Sequence, residues 1–454
     1  MKLALAWEFL CLQKTKSFFA SFTVLVLQNI IVLSVNLADN IMIGSYSETA
    51  LAGVAAINQI QFVYNCLING LGDATVVLGS QYWGRQKTDS VKKISVGALM
   101  CAVFAALILF LCASLFPSGM VRLFTDTDKI VEQGASYLSL IKYTYIFFAI
   151  SSVFLASLRS VEKVKIAFWT SLCALITNCS INYCLIGGHF GFPEMGVRGA
   201  AIGTLCARAI ELVIIIIYVF KADKRLSFKF KEVLRPDFSY VKDFLVTCLP
   251  FVAVGTMFGM STALQTVILG HLSDSAIAAN SVSSTLYMVL KVAATGSASA
   301  AAIVIGKTVG SGDLSKIKEY SRTLQLMFLV IGVLTSLSLH FLRDPVLSLY
   351  SLSDETLQNA KDFINILCIT CIGTAYQMPV NTGIVRGGGD TKYVLKLDLI
   401  AIWCIVLPLS FLGAFKLGWS AQVVIFCLNS DQLFKCVPAV IKVNRYRWMK
   451  KLTR

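Results

Sequence analysis

The residue most able to do chemistry in this sequence is Asp39, a lone carboxylate within an apolar stretch. Residues 17–44 form a run of 28 residues with this single charge. As a helix the run would be roughly 42 Å long, which exceeds the ~30 Å hydrocarbon core of a bilayer, so Asp39 need not reach water. A carboxylate in low-dielectric surroundings is costly to keep ionised and tends to take up a proton or a cation. Its position therefore predicts an ion-coupling site.

Two asparagines, Asn178 and Asn182, lie one helical turn apart in another apolar stretch. That spacing directs both amides to the same side of a helix. The amides either hydrogen-bond to a neighbouring helix, a contact worth ~1 kcal/mol, or supply polar groups to a site. The residues alone leave both alternatives open.

Charged residues inside other apolar stretches fall into two groups. Opposite charges one turn apart predict two ion pairs, Arg208 with Glu211 and Asp431 with Lys435. Lys142 and Lys291 have no opposite charge within a turn. An intramembrane lysine of this kind is a functional candidate by default, although snorkelling or a partner on another helix would also explain it.

The elements that position these residues follow from composition. The chain has 454 residues, of which 56% are hydrophobic and only 14% are charged, against roughly 25% charged residues in soluble proteins. So few charges could not cover a water-soluble surface of this size. The composition indicates a polytopic membrane protein and excludes a disordered chain, a disulfide-stapled secreted domain and an ordinary soluble enzyme.

Apolar runs of about 18 residues or more predict twelve membrane spans. They lie at 17–38, 49–72, 94–121, 134–158, 166–188, 199–220, 244–270, 275–306, 323–342, 363–385, 397–415 and 417–441.

The placement of Lys and Arg tests this count, because cytoplasmic loops carry the excess of positive charge. One set of alternate segments holds 31 of the 40 basic residues, the other set holds six, and three fall inside spans. A missed or invented span would exchange the sides of every later loop and destroy this asymmetry. The split therefore supports twelve spans and predicts that both termini are cytoplasmic. It also explains the net charge of +15 without nucleic-acid binding.

The chain repeats itself at about half its length. At an offset of 226 residues, 50–53 falls on 276–279, Gly84 on Gly310 and Asp128 on Asp354. Each half has six spans, so both halves enter the membrane in the same orientation, and an axis along the membrane normal should relate them. The predicted fold is all-α, with two six-helix lobes. The predicted domains are an N-terminal lobe at 1–220, a basic cytoplasmic linker at 221–243 and a C-terminal lobe at 244–454.

Polar residues facing a cavity between such lobes are candidates for substrate contact. Tyr64 and Asn65 give the second span a polar side, which fits either a wet cavity or helix packing. Gln265 is the repeat mate of Asp39, so the two lobes differ in charge at this position. Lys291 in the second lobe would bias a cavity toward zwitterionic or anionic substrates.

Several motifs resemble those of multidrug and toxic compound extrusion (MATE) transporters. The segment Asn36-Leu-Ala-Asp39-Asn-Ile-Met-Ile-Gly44 is similar to the signature of their first span. Val385-Arg386-Gly-Gly-Gly-Asp390 is similar to the turn after their tenth span, and Gly191-Phe-Pro193-Glu-Met-Gly196 to the loop before their sixth. Together with the repeat, these matches cover nearly the whole chain and favour the DinF-like branch.

The resemblance implies a secondary active antiporter that exports organic, often cationic and amphipathic, compounds in exchange for H⁺ or Na⁺. It implies a cation site in the first lobe formed by Asp39, Asn178, Asn182 and Thr204. Asn182 departs from the pattern, because many relatives have aspartate there. NorM-like relatives use carboxylates in spans seven and ten, but 244–270 and 363–385 contain no Asp or Glu. Coupling through the second lobe in that manner is therefore not expected.

An alternative within the same superfamily is a lipid-linked saccharide flippase, which would require a strongly basic cavity. An intramembrane enzyme or a receptor is less consistent with the sequence, because it contains no nucleophile or metal-binding motif. We expect no catalytic residues, no metal site and no cofactor besides the coupling ion. We expect a monomer in the bacterial inner membrane, with a small-molecule substrate, the lipid bilayer as its surroundings and no nucleic-acid partner.

Overall fold

A computed structural model of the protein describes residues 13–125, 127–233, 235–348 and 353–452. Twelve of its helices are long and apolar enough to cross a membrane, which confirms the predicted number of spans. Lys2 and Arg454, which enter the charge count, lie outside the described residues.

The first six membrane helices are α1 (Gln13–Tyr46), α2 (Glu48–Gly84), α3 (Thr88–Leu115), α4 (Asp128–Ser160), α5 (Lys165–Ile186) and α6 (Val197–Ala222). The other six are α7 (Phe238–Leu272), α8 (Asp274–Ser311), α9 (Leu314–Leu347), α10 (Asp354–Val385), α11 (Thr391–Phe415) and α12 (Ala421–Asn444). Several are longer than the predicted spans, because polar ends such as 73–84 continue the helices beyond the apolar runs.

Two helix starts show the sequence repeat directly. Ser47 and Ser273, which are 226 residues apart, have extended backbone angles and cap α2 and α8. The hydroxyl of Ser47 accepts from the N–H of Ala50 at 3.4 Å, and that of Ser273 accepts from Ala276 at 3.0 Å. Each cap satisfies one of the N–H groups that a helix start leaves without an intrahelical partner.

The chain forms two compact units whose boundaries lie inside helices. Leu27–Val252 form the first unit, and the described residues of Met1–Val26 and Ala253–Arg454 form the second. The predicted domains placed the change in the linker at 221–243 instead. The difference arises in α1 and α7, because each helix gives its first part to one unit and its remainder to the other. A division within a continuous helix leaves no mark in composition.

The two units share one packing pattern. In the first unit α2, α3 and α4 pack against one another, and α5 packs against α6. In the second unit α8, α9 and α10 repeat the first arrangement, and α11 packs against α12. Small residues permit the closest approaches; a Cβ at Gly199 on α6 would lie 2.7 Å from the backbone of Leu185 on α5. The α5–α6 contact is the one that carries the site described next.

The turn that joins α10 to α11 is covered by the segment after α12. Trp448 is fully buried there, and a Cβ at Gly388 would lie 2.2 Å from its ring. The N–H of Lys450 donates to the carbonyl of Gly388 at 2.9 Å. Asp390 forms ion pairs with Lys442 and Lys450, both at 2.7 Å. We call Asp390, Lys442 and Lys450 the turn clasp.

Candidate ion-coupling site

Asp39 and the predicted asparagines come together in the first unit. The amide nitrogen of Asn182 donates to Asp39 Oδ1 at 2.5 Å, and Asn178 also hydrogen-bonds to this carboxylate. The Asn182 amide lies 3.4 Å from Asn178 Oδ1, and Asn178 Nδ2 donates to Thr204 Oγ1 at 3.3 Å. The four residues predicted for the cation site therefore form one chain of polar contacts from α1 through α5 to α6.

One oxygen in this chain of contacts has no hydrogen-bond partner among the described residues. Asn178 and Asn182 are both fully buried, and Asn182 Oδ1 accepts from no donor. A buried acceptor without a donor is costly in a folded protein, so its presence next to a carboxylate points to a ligand. The oxygen is close to Gly203, where a Cβ would lie only 2.0 Å away. Glycine at position 203 is therefore what gives the Asn182 amide its space.

Tyr137 on α4 belongs to the site, although sequence reasoning missed it. Its side chain is buried and hydrogen-bonds to Thr204, and it lies within the electrostatic influence of Asp39. A signal for it exists in the repeat, because the mate of Tyr137 at an offset of 226 is Phe363, which lacks the hydroxyl. The second unit thus has neither the acid nor this phenol at the equivalent positions.

Arg208 supplies a positive charge that acts on the site. Its guanidinium pairs with Glu211 at 2.7 Å, which confirms the predicted ion pair on α6, and it stacks 5.0 Å from the ring of Phe148. Its charge also attracts the Asp39 carboxylate. Because Glu211 already neutralises Arg208 by direct contact, Asp39 remains the carboxylate available to an ion.

The two substrate-contact candidates in the first unit differ in their surroundings. Tyr64 is buried, its hydroxyl donates to the carbonyl of Tyr145 at 2.7 Å, and its ring lies 5.3 Å from that of Tyr145. These contacts fit packing between α2 and α4. Asn65, the next residue, is partly exposed.

The candidates in the second unit, Gln265 and Lys291, are both partly exposed. Gln265 Nε2 donates to Ser261 Oγ at 3.2 Å, one turn earlier on α7. Lys291 Nζ lies 5.2 Å from the ring centre of Phe258 and 6.0 Å from that of Tyr287. The second unit thus has an amide at the repeat mate of Asp39 and an ammonium at the repeat mate of Asn65.

Lys435 on α12 holds two carboxylates in the second unit. It pairs with Asp431 at 2.9 Å, which confirms the predicted pair, and with Asp398 of α11 at 2.8 Å. Asp398 could not be inferred from spacing, because it lies on another helix. Asp431 also accepts from Gln432 Nε2 at 2.7 Å, so its oxygens are well satisfied.

Comparison with known proteins identifies the family. The MatE family model matches residues 25–184 and 250–412, one segment in each half of the chain. The protein belongs to the MATE family.

Similar proteins match nearly the whole length of the chain. A probable multidrug resistance protein NorM of Bacillus cereus is 27% identical over 412 residues, or 90% of each chain. A protein of the same name from Listeria innocua is 26% identical over 406 residues, covering 88% of this chain and 87% of the relative. A crystal structure of a Vibrio cholerae MATE transporter superposes with a TM-score of 0.87 at 18% identity, covering 96% of this chain and 98% of that one.

These matches confirm two predictions. The fold class is all-α, with twelve membrane helices in two six-helix lobes, and the MATE protein is a transporter and not an enzyme. The chain is a multi-pass integral membrane protein that acts on small molecules. The DinF-like branch stays a prediction.

The hydrogen-bond donors and acceptors of the first-unit site indicate which ions this MATE protein can bind there. One carboxylate, two amide oxygens and a threonine hydroxyl converge there. Such oxygens suit a hard monovalent cation, and a single carboxylate also suits a proton. The Asn182 oxygen without a partner fits either ion.

Proposed function

We propose that the protein is an efflux antiporter of the bacterial inner membrane that exports organic, cationic amphipathic compounds in exchange for a proton bound at Asp39. The NorM names of the relatives support multidrug export. The observation that carries the site is the contact of Asn182 with Asp39, next to an amide oxygen without a donor. Both termini are cytoplasmic in this proposal, and the protein acts as a monomer.

The amide of Asn182 can serve both protonation states of Asp39. An ionised carboxylate only accepts, and it receives the Asn182 N–H at 2.5 Å. A protonated carboxyl gains an O–H donor, and Asn182 Oδ1 is an acceptor in need of one. A half-turn of the amide exchanges its nitrogen and oxygen. Proton binding therefore replaces one hydrogen bond between α1 and α5 with another and removes a charge from the first unit.

Loss of that charge is what couples the ion to the substrate. A cationic compound is attracted by the ionised Asp39 carboxylate, and the attraction disappears when Asp39 takes up a proton. Bound proton and bound substrate then oppose each other, which is the condition for exchange. Na⁺ would act through the same charge, with the Asn178, Asn182 and Thr204 oxygens as ligands. We favour H⁺ because Asp39 is the only carboxylate in the proposed site.

The test compares Asp39→Asn with Asp128→Asn in proteoliposomes loaded with a fluorescent organic cation. The first change removes the proposed charge with almost no change of shape, while the Asp128 side chain is 85% exposed and pairs with Arg122 on the surface. We expect transport driven by a pH gradient to fall at least about ten-fold in Asp39→Asn and to persist in Asp128→Asn. Both variants should be present at the wild-type amount.

The driving ion is separated in the same experiment. A pH gradient imposed without Na⁺ should drive wild-type transport, and a Na⁺ gradient at equal pH should not. Transport by Asp39→Asn at the wild-type rate under either gradient would contradict the assignment of the coupling site. Transport driven by Na⁺ alone would keep the site and change the ion.

A further inference from the structure

Lys291 lies near the middle of a membrane helix, α8, far from both of its ends. Seventeen residues of α8 precede it and 20 follow it. At 1.5 Å per residue, these correspond to roughly 25 Å and 30 Å of helix. A lysine side chain is much shorter than either distance, so the Lys291 ammonium does not reach the ends of α8.

No carboxylate in the described part of the chain lies within the 4.0 Å ion-pair distance of Lys291 Nζ. The carboxylate of Asp431 acts on it electrostatically with opposite sign, and Lys435 acts on it with the same sign as its own. Lys435 already holds Asp431 at 2.9 Å and Asp398 at 2.8 Å. Asp398 and Asp431 are thus held by another lysine, and among the described residues no carboxylate forms an ion pair with Lys291.

The fold itself does not require a lysine at this place. The repeat mate of Lys291 at an offset of 226 is Asn65, at the corresponding position on α2 of the first unit. The acid Asp39 likewise has the neutral mate Gln265. The first unit therefore has an acid and an amide at these two positions, and the second unit has an amide and a base. An unpaired charge in a membrane helix is costly, so its presence where an amide would serve points to a role in binding.

The surroundings of Lys291 define what it would bind. The rings of Phe258 and Tyr287 lie 5.2 Å and 6.0 Å from its ammonium. Phe258 is 45% exposed, and the neighbouring Met288 is 54% exposed, so apolar surface lies beside the charge. An ammonium next to an aromatic and thioether surface complements an anionic oxygen group carried on a flat aromatic body.

We propose that Lys291 is a specificity-determining residue, which binds the carboxylate of those aromatic, amphipathic substrates that carry one. This inference rests on the proposed export function and assigns one residue to the choice between substrates with and without a carboxylate. The Lys291 ammonium donates to the carboxylate, and Phe258 contacts the ring system. A compound without the carboxylate gains nothing from Lys291.

Two dyes that differ in a single group test the proposal. Rhodamine 110 carries a free carboxylate, and rhodamine 123 is its methyl ester. Their binding to the full-length protein in phosphatidylcholine nanodiscs can be measured by fluorescence polarisation without any ion gradient. We expect Lys291→Met to weaken rhodamine 110 binding about ten-fold, the cost of one charge-assisted hydrogen bond, and to change rhodamine 123 binding less than about two-fold.

The control variants separate charge from fold. Lys291→Arg keeps the charge and should retain most of the preference for rhodamine 110. Lys142 is a matched control in the first unit, since its ammonium also lies over two rings, those of Phe110 at 5.6 Å and Tyr143 at 5.5 Å. Lys142→Met should change the binding of neither dye.

Three outcomes would overturn the proposal. The first is an equal loss of both dyes in Lys291→Met, which would give Lys291 a structural role. The second is rhodamine 110 binding that is the same in Lys291→Met as in the wild type. Absence of rhodamine 110 binding by the wild type would count as this outcome. The third uses nanodiscs that contain phosphatidylglycerol: a loss of rhodamine 110 binding in Lys291→Met that appears only in these nanodiscs would assign Lys291 to a lipid phosphate and not to the dye.

The result is independent of the coupling test. Asp39→Asn removes an attraction that the cationic ring system of both dyes shares, so adding Lys291→Met to Asp39→Asn should still weaken rhodamine 110 binding about ten-fold and change rhodamine 123 binding less than about two-fold. Discrimination between the dyes together with failure of gradient-driven transport would retain the Lys291 site and reject the antiport function. Gradient-driven transport together with equal effects of Lys291→Met on the two dyes would retain the antiport function and reject the Lys291 site.

Discussion

Asp39 and Tyr137 each carry a polar group that their repeat mates in the second unit lack. Gln265 keeps the size of an acid without its charge, and Phe363 keeps a phenyl ring without its hydroxyl. Both substitutions remove the groups that hold or stabilise an ion while leaving shapes that still pack. A site confined to the first unit is the simplest account of these paired differences.

Tyr137→Phe tests whether the phenol supports the coupling ion. The change removes the hydrogen bond to Thr204 and leaves the buried ring in place. A neutral hydrogen bond is worth about 1 kcal/mol, which corresponds to an apparent affinity for the coupling ion about five-fold lower. The pH dependence of dye efflux measures this affinity.

Tyr143→Phe is the matched control, because Tyr143 lies on the same helix but is 43% exposed. It should leave the pH dependence of efflux as in the wild type. Equal effects of the two changes would remove Tyr137 from the site.

Most residues of the candidate site could be predicted from the sequence, but their arrangement in space could not. Asp39, Asn178 and Asn182 can be recognised in the sequence as polar residues within apolar stretches. The spacing of the two asparagines places their amides on one face of α5. Tyr137 and Gly203 give no such signal, because each contributes through contacts between helices that are distant in the chain. The orphaned Asn182 oxygen likewise depends on how α5 and α6 meet, which no local pattern contains.

At the scale of helices, the approach of α6 to α5 depends on Gly203. A Cβ there would lie 2.0 Å from Asn182 Oδ1 and 3.4 Å from the carbonyl of Asn178, so either the amide or the helix must move. We expect Gly203→Ala to reduce gradient-driven efflux at least about ten-fold, because over-packing of this kind costs roughly 1–3 kcal/mol.

The comparison variant for this test is Gly72→Ala on α2. A Cβ at Gly72 would meet only ordinary contacts, at 3.6 Å from Ala156 and 3.8 Å from Arg159. It should retain most of the efflux activity in the same assay. Normal efflux by Gly203→Ala would show that the Asn182 amide does not need its present position.

The turn clasp makes a pH-dependent contribution to stability. Burial alone would raise the pKa of Asp390, but the hydrogen bonds and charges of Lys442 and Lys450 outweigh it and hold that pKa below its usual value. A carboxyl with a depressed pKa stabilises the folded state above its unfolded pKa, and this stability is lost as pH falls through the folded pKa.

Asp390→Asn should therefore lower the free energy of unfolding by about 2 kcal/mol at pH 7, the usual worth of hydrogen bonds to a charged group. The difference from the wild type should stay constant down to about pH 5 and shrink only below about pH 4. Thermal unfolding of the purified protein across this range measures it. Asp89→Asn, at a side chain that is 92% exposed, should change little at any pH; a wild-type advantage that vanished between pH 7 and 5 would contradict the assignment to Asp390.

For the whole molecule, span count and repeat were predictable, and the composition of the compact units was not. Hydropathy and charge asymmetry are properties of long segments, so twelve spans could be read from the sequence. The division of α1 after Val26 and of α7 after Val252 has no counterpart in composition, because it depends on which neighbours each part of a helix meets.

The orientation of the whole molecule is tested by placing single cysteines in two exposed connections. Glu194 lies between α5 and α6, and Ser315 lies at the start of α9; both are exposed to solvent. The charge asymmetry predicts that the first faces outward and the second the cytoplasm. A cysteine at Glu194 should react with a membrane-impermeant maleimide in intact cells, and one at Ser315 should react only after the cells are opened. The parent chain, with its 14 native cysteines, sets the background.

Because Glu194 and Ser315 are separated by three membrane helices, labelling of both from outside would mean that the helices between them do not all cross the membrane. Labelling of Ser315 alone would invert the orientation and place both termini outside.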